Sequence, residues 1–257
     1  MDENLREALL DAMKELAYGA SHEINNPLAN IAARAQALSR DEPHPERRRS
    51  LEAIHQQAMR AHEMISDLML FARPPALELA ETDLPAIAFE ACEEFREEAD
   101  SRGIEIRLAN PEGGCLLTAD GGQLSVVARE LLRNAVEAVG EGGVIDAGVA
   151  RLETPGEPAL VEFSVVDNGP GLTEREQKHL FEPFFSGREA GRGLGFGLSK
   201  AWRIVTGHGG TVSVENRVAD DGSACGVVAV VRLPVSPNPE LTRGGREAQT
   251  VTAAFGR

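Results

Sequence analysis

The chain is poor in cysteine: Cys92, Cys115 and Cys225 lie far apart, and no CxxC pair occurs in 257 residues. An odd, scattered set excludes a disulfide framework and a structural zinc cage, and it fits a reducing compartment. No apolar run approaches the ~18 residues of a membrane helix, so no membrane span is expected. The opening residues, MDENLREALL, are too charged for a secretory signal, and a cytoplasmic location is expected. Positive charge is also scarce. Lys and Arg number 26 against 41 Asp and Glu, a net charge of -15, which argues against nucleic acid or an anionic membrane as the general partner. The sequence shows no internal repeat and no Walker-type Gly-Lys-Ser/Thr.

What remains is ordinary soluble composition, 42% apolar and 26% charged, with enough chain for one large or two ordinary domains. Near the start, Leu9, Met13, Leu16, Ala20, Ile24, Leu28, Ile31, Ala35 and Leu38 recur at steps of three and four. That is the buried face of one long helix, expected from Asn4 to Ser39. Within it stands Ser21-His22-Glu23-Ile24-Asn25-Asn26-Pro27-Leu28. His22 is two residues from both Ala20 and Ile24, about 200° from each at ~3.6 residues per turn, so its imidazole is expected in solvent. Asn26 shares that face one turn on. Pro27 cannot donate to the Glu23 carbonyl and is expected to bend the helix beside the histidine. An exposed imidazole is a nucleophile that is largely neutral near pH 7, and the Glu23 carboxylate can hold one ring nitrogen and take its proton as the other attacks. Taken alone, such a pair is usually solvated surface.

A polar turn is expected over Arg40–Pro45, followed by Leu51, Ile54, Ala58, Ala61, Ile65, Leu68 and Ala72 in a strict heptad seam. Two amphipathic helices in an antiparallel hairpin cannot bury both seams alone, which predicts a homodimer and a four-helix bundle. Pro74-Pro75 opens a linker. The domains expected are therefore a hairpin over 1–73, a linker over 74–83, an α+β sandwich over 84–234 and a disordered tail over 235–257. In the sandwich, helices are expected over Leu84–Arg102, Gln123–Val139 and Lys200–Thr206. Strands are expected near Ile104–Leu108, Cys115–Leu117, Val144–Leu152, Leu160–Val166, Thr211–Glu215 and Gly226–Leu233. His55 and His62, seven apart, miss the spacing a metal prefers, and Arg47-Arg48-Arg49 reads as a solvated helix start. Trp202, the only tryptophan, reads as packing.

Four features of the second domain converge on a nucleotide. Glu130 and Asn134 share a helix face, where a carboxylate and an amide oxygen could hold Mg²⁺ with its waters and phosphates. Asp167-Asn168-Gly169-Pro170-Gly171 follows a strand, and a carboxylate there can accept from an exocyclic amine such as that of adenine. Glu182-Pro183-Phe184-Phe185 would hinge and anchor a loop. Gly191-Arg192-Gly193-Leu194-Gly195-Phe196-Gly197 leads into a helix as a glycine-rich lid. Singly each has a bland reading, as a turn or a surface amide; their order favours the nucleotide. Charge agrees, because between Glu174 and Arg203 the basic residues Arg175, Lys178, Arg188, Arg192, Lys200 and Arg203 outnumber the acidic ones six to four.

From about residue 5 to 233 these motifs, in this order, make the chain resemble the catalytic core of bacterial two-component sensor histidine kinases of the nitrogen-regulatory type. The resemblance implies a dimeric phosphoacceptor hairpin followed by a Bergerat, or GHKL-type, ATP-binding domain. It implies His22 as phosphoacceptor, Glu23 as its acidic neighbour, and Asn26 as a residue assisting dephosphorylation of the partner. It also implies Asn134 as a magnesium ligand with Glu130 beside it, Asp167 at adenine, and Gly169, Gly171, Gly191, Gly193, Leu194 and Gly195 around the nucleotide. The cofactors implied are ATP and Mg²⁺. The partners are a second copy, a response-regulator receiver domain carrying an aspartate, and a sensor domain or sensory partner. Some details depart from the family pattern. Glu130 stands where related ATPases carry a water-activating Glu, which leaves a hydrolytic ATPase open, as it leaves a degenerate kinase acting as scaffold or phosphatase. Glu137-Ala138 replace a Lys-Tyr pair, so Arg188, Arg192 or Lys200 is expected to supply the missing phosphate contact.

Overall fold

The structure, a computed structural model, describes residues 23–72, 75–109, 115–183, 185, 195–219, 222 and 224–236. The expected phosphoacceptor His22, the lid residues Arg188, Gly191, Arg192, Gly193 and Leu194, and all but the first two residues of the expected tail lie outside the described residues. The chain divides into two compact units, one comprising the residues to Ala76 with Glu174–Arg203, the other Leu77–Thr173 and the chain from Ile204 onward.

The first unit is led by a helical hairpin. Helix α1 covers residues 23–41 and passes through Pro27 without a break; α2 is Pro45–Ala72. The expected turn at Arg40–Pro45 is shorter than its sequence suggests, because the helix runs on to Asp41 and Pro45, lacking an N–H, suits the first position of α2. Arg48 closes the turn by donating from Nε and Nη2 to the Glu42 carbonyl at 3.1 and 2.8 Å. Between the helices Ala32, Ala35 and Ala58 are buried, and His55 Nδ1 lies 3.0 Å from the Ala32 carbonyl. Small side chains at the crossing let the backbones approach. Leu28, Leu51, Ile65 and Leu68 are half-buried, while Ile31, Leu38 and Ile54 stay uncovered at 47%, 62% and 48% exposed. This unit also holds α6 (Glu174–His179) and the first turns of α7 (Gly197–Gly207).

The second unit is an α/β sandwich. Its larger sheet has the order β2-β4-β5-β7-β6, built from β2 (Glu105–Ala109), β4 (Val144–Leu152), β5 (Leu160–Asp167), β6 (Thr211–Val218) and β7 (Ala224–Pro234). Only β2 and β4 pair in parallel, and the helix that such a crossover requires is α5 (Gly121–Val139). The rest of the sheet is antiparallel. Along β5 the side chains alternate, and Val161, Phe163 and Val165 enter the core beside Ile145, Ala147 and Val149 of β4 and Val231 and Leu233 of β7. Helix α5 meets them with Leu124, Val127, Ala128, Leu131, Leu132, Ala135 and Val136, the 3.6-residue stripe expected of a helix lying on a sheet.

Two expectations need correction here. The single helix expected over Leu84–Arg102 is two, α3 (Leu84–Glu94) and α4 (Arg96–Ser101), broken at buried Phe95. Glu93 with Glu97 and Glu94 with Glu98 would stack like charges at i,i+4 in one continuous helix, which disfavours it. A short strand β1 (Ala80–Asp83) lies where only linker was expected. Its AETD sequence has no strand pattern of its own. Pairing with β3 (Leu116–Ala119) creates it, helped by Thr82 Oγ1, which donates to the Ala119 carbonyl at 3.0 Å. At the other end Val235 donates to the Ala159 carbonyl and accepts from the Thr118 amide.

Candidate functional site

The second unit assembles a cleft wall from the end of β5, the loop after it and helix α5. Asp167 has the parity of Val161, Phe163 and Val165, so the strand carries its carboxylate on the core-facing side and leaves it 5% exposed. Oδ1 accepts from the Gly169 amide at 2.8 Å and the Val227 amide at 3.2 Å. Burial pushes the carboxyl up from its usual range, against the pull of those two amides and of Arg217. Oδ2 accepts no hydrogen bond from the described residues, so a carboxylate with one oxygen tied and one open stands at the strand end. That chemistry fits an exocyclic amine.

The loop is shaped by absent side chains. At Gly169 a Cβ would come within 3.0 Å of Asp167 Oδ1 and 3.2 Å of the Ala138 carbonyl, which brings the loop against the last turn of α5. At Gly171, with φ +79°, it would meet the Ala224 Cβ at 2.7 Å. Only glycine combines this conformation and this approach. Asn168 fixes the near edge, its Oδ1 accepting from the Val144 amide at 2.8 Å.

Helix α5 is started firmly. Asp120 caps it, accepting from the Gln123 amide at 3.0 Å, and the Asp120 amide donates to Nε2 of buried His208 at 3.1 Å. The other ring nitrogen of His208, Nδ1, donates to the Ile204 carbonyl at 2.9 Å, so both are satisfied only in the neutral ring. Burial lowers the His208 pKa accordingly. Two to four turns along α5, Glu130 is 7% exposed, with Arg133 Nη1 3.7 Å from its Oε1, and Asn134 follows at i+4, half-buried. A carboxylate and an amide oxygen on one helix face suit a hard cation such as Mg²⁺. No cluster of three or more His, Cys, Asp or Glu exists among the described residues, so the remaining ligands would be phosphate and water oxygens.

In the first unit, Glu23 and Asn26, beside the expected phosphoacceptor, are both exposed on α1. His179 Nδ1 lies 2.9 Å from Glu182 Oε2 and its ring centroid 5.3 Å from that of Phe185, which anchors the stretch expected to hinge the lid. Gly195, at φ +67°, sits so close to the Phe185 backbone that no Cβ could be accommodated. Past the lid, Lys200 is buried and its Nζ donates to Asp67 Oδ1 of α2 at 2.7 Å. The structure thus joins Asp167, Gly169 and Gly171 to the end of α5, and separately joins Lys200 to the hairpin helix.

Sequence reasoning missed several supporting residues. His208, Val227 and Arg217 act from segments distant in sequence, Val227 through its backbone alone. Asn216, a strand-averse residue just past the strand expected over Thr211–Glu215 and taken into β6 in the structure, was the one available signal.

Two family models match the chain: "His Kinase A (phospho-acceptor) domain" over residues 12–76, and "Histidine kinase-, DNA gyrase B-, and HSP90-like ATPase" over residues 119–237. Sensor histidine kinase ZraS of Klebsiella oxytoca is 32% identical over 212 residues, covering 82% of this chain and 45% of the relative. Sporulation kinase C of Bacillus subtilis is 30% identical over 220 residues, covering 85% and 49%. The chain therefore spans about half the length of the curated relatives it matches. Among solved structures, full-length ShkA in complex with AMPPNP aligns with a TM-score of 0.73 at 26% identity, covering 86% of this chain and 45% of that one. Histidine kinase ThkA in complex with the response regulator protein TrrA aligns with a TM-score of 0.62 at 25% identity, covering 93% and 66%. A phosphoacceptor hairpin model, an ATPase model and the Asp167 loop in one chain place it in a single family: it belongs to the two-component sensor histidine kinases, as their catalytic core.

Proposed function

We propose that this chain is an ATP-dependent protein-histidine kinase that phosphorylates His22 and passes the phosphoryl group to an aspartate of a response-regulator receiver domain. The observation that carries the reading is the Asp167 carboxylate, buried at the end of β5 with one oxygen held by two amides and the other open above a glycine loop. The complexes of ShkA with AMPPNP and of ThkA with TrrA support the nucleotide and the partner.

In this reading Asp167 accepts from the adenine amine, while Gly169 and Gly171 let the ring lie close to the backbone. Asn134 and Glu130 orient Mg²⁺, which when bound supplies charge neutralisation at the phosphates. Gly191, Gly193, Leu194 and Gly195, with Arg188 and Arg192, close over the triphosphate, and Lys200 joins them on leaving Asp67, to which it donates in this structure. The His22 imidazole attacks the γ-phosphorus, an N–P bond forms as the bond to the ADP oxygen breaks, and Glu23 takes the displaced imidazole proton. Asn26 serves the dephosphorylation of the regulator. The chain works as a homodimer in the cytoplasm: the exposed Ile31, Leu38 and Ile54, and an open groove of about 400 Å³ lined by Leu28, Ile31, Ala53, Ile54, Gln57 and Ala58, are covered by a second hairpin. A sensory domain or partner feeds the hairpin. No helix among the described residues is long and apolar enough to cross a membrane.

Incubation with γ-labelled ATP tests the assignment. Acid-labile label is expected on the wild type and none on His22→Gln; label persisting in that variant overturns the phosphoacceptor. A second reading, hydrolysis of ATP by water, is favoured by the buried carboxylate of Glu130 one turn before Asn134. It predicts phosphate release that outpaces protein labelling and disappears in Glu130→Ala.

A further inference from the structure

The loop that follows Asp167 is held from outside by a residue with no part in the reaction just described. In the edge strand β6, the Asn216 carboxamide meets both main-chain polar groups of one residue: its Oδ1 accepts from the Leu172 amide at 2.7 Å and its Nδ2 donates to the Leu172 carbonyl at 2.8 Å. The side chain thereby does what a neighbouring strand would do, pairing with both polar groups of one residue. The register of β6 against β7 shifts between Asn216 and Val218, and such an irregularity re-aims side chains that would otherwise alternate. The next residue, Arg217, points to the same loop, Nη1 donating to the Asp167 carbonyl at 3.2 Å. Close packing accompanies the clamp, since a Cβ on Gly171 would lie 3.1 Å from Asn216 Oδ1, and one on Gly226 would collide with the Asp167 carbonyl.

We propose that Asn216 is a positioning residue for the nucleotide: its carboxamide fixes the main chain at Leu172, and through it the Asp167–Gly171 loop, in the shape that receives the base. The inference rests on the nucleotide reading of Asp167 given above. Asn168 ties the start of the loop to Val144, and Asn216 ties its end to β6, so releasing either leaves the glycines free to sample other conformations. A loop that must be ordered on binding takes that cost out of the affinity. Asparagine is needed because the clamp requires one acceptor and one donor on a planar group; a hydroxyl or a carboxylate supplies only part of it.

The test uses the whole chain and Mg²⁺-ATP in isothermal titration, from pH 8 to about 5.5. Wild type is compared with Asn216→Ala, Asn216→Asp and Val212→Ala, the last a truncation in the same strand away from the loop. Loss of two net hydrogen bonds predicts roughly tenfold weaker binding by Asn216→Ala at pH 8, with Val212→Ala within about twofold of wild type. Asn216→Asp is expected to be as weak as Asn216→Ala at pH 8, where its carboxylate opposes the Leu172 carbonyl. Partial burial and the facing carbonyl both disfavour the charged form and raise this carboxyl above its usual value of about 3.9, and the acid once protonated presents the same acceptor and donor as the amide, so its ratio to wild type is expected to narrow as pH falls from 8 to about 5.5. A purely structural role would not produce that recovery. The inference is overturned if Asn216→Ala binds like wild type, if Val212→Ala weakens as much, or if the Asn216→Asp ratio does not change with pH. Should Asn216→Ala fail to fold, the pH response of Asn216→Asp decides alone. Wild type that takes up no ATP would instead overturn the nucleotide reading and this inference with it.

Discussion

The hairpin and the sandwich use apolar residues in opposite ways. In the sandwich, Leu132 and Ile145 are 0% exposed and Phe163 is 2%, so a single chain completes that core. Among the described residues of the hairpin, only alanines at the helix crossing are comparably buried, while Ile31, Leu38 and Ile54 stand open to solvent. Periodicity alone cannot tell the two apart, since both regions carry regular stripes. The sheet closes over its own helices, whereas two helices present more apolar face than they can cover. One unit is finished by its own sequence, and the other leaves apolar faces that the proposed second hairpin would cover.

That contrast can be attacked directly. Leu132→Ala is expected to cost the sandwich about 2–5 kcal/mol in urea unfolding, independent of protein concentration. Ile54→Glu is expected to convert the proposed dimer to monomer in sedimentation and to make melting insensitive to protein concentration, leaving ATP binding unchanged; a variant that keeps the dimer mass breaks the comparison. Within the sandwich, Asp167→Asn should weaken ATP binding about ten- to hundredfold, because an open carboxylate oxygen gives way to an amide while Oδ1 can still accept from Gly169 and Val227. Melting close to that of wild type would accompany it, and unchanged affinity in titration would refute the assignment.

The smallest effect concerns His208. Its folded pKa is held below the unfolded value of about 6.5 by burial, so as pH falls the unfolded chain takes up the proton first. The stabilisation is complete above about pH 6.5 and is lost as pH falls toward the depressed folded value, at no more than about 1.4 kcal/mol per pH unit. Thermal melts of wild type between pH 7.5 and 5.5 should show the decline, and His208→Gln should flatten it.

Much of this was legible in order and spacing. The stripes around Leu28 and Ile54 announce paired helices, the alternation in β5 announces a half-covered strand, and Glu130, Asn134, Asp167, Gly169 and Gly171 stand in an order that few other functions share. Those signals are local, because helix faces repeat every few residues and turn glycines answer to their own backbone. Other features were not readable in this way. AETD becomes β1 only because β3 offers it a partner, and the helix after Asp83 breaks at Phe95 where like charges would stack. His208 reaches the Asp120 amide across 88 residues, and Asn216 reaches Leu172 across 44. The sequence by itself determined most of the elements and the residues proposed to carry the chemistry, since propensity, periodicity and motif order act over short stretches of chain. Tertiary structure alone decided that Asp167 is buried with one oxygen open and that Asn216 grips the loop beside it, because burial and hydrogen-bond partnership arise only when distant segments are packed together.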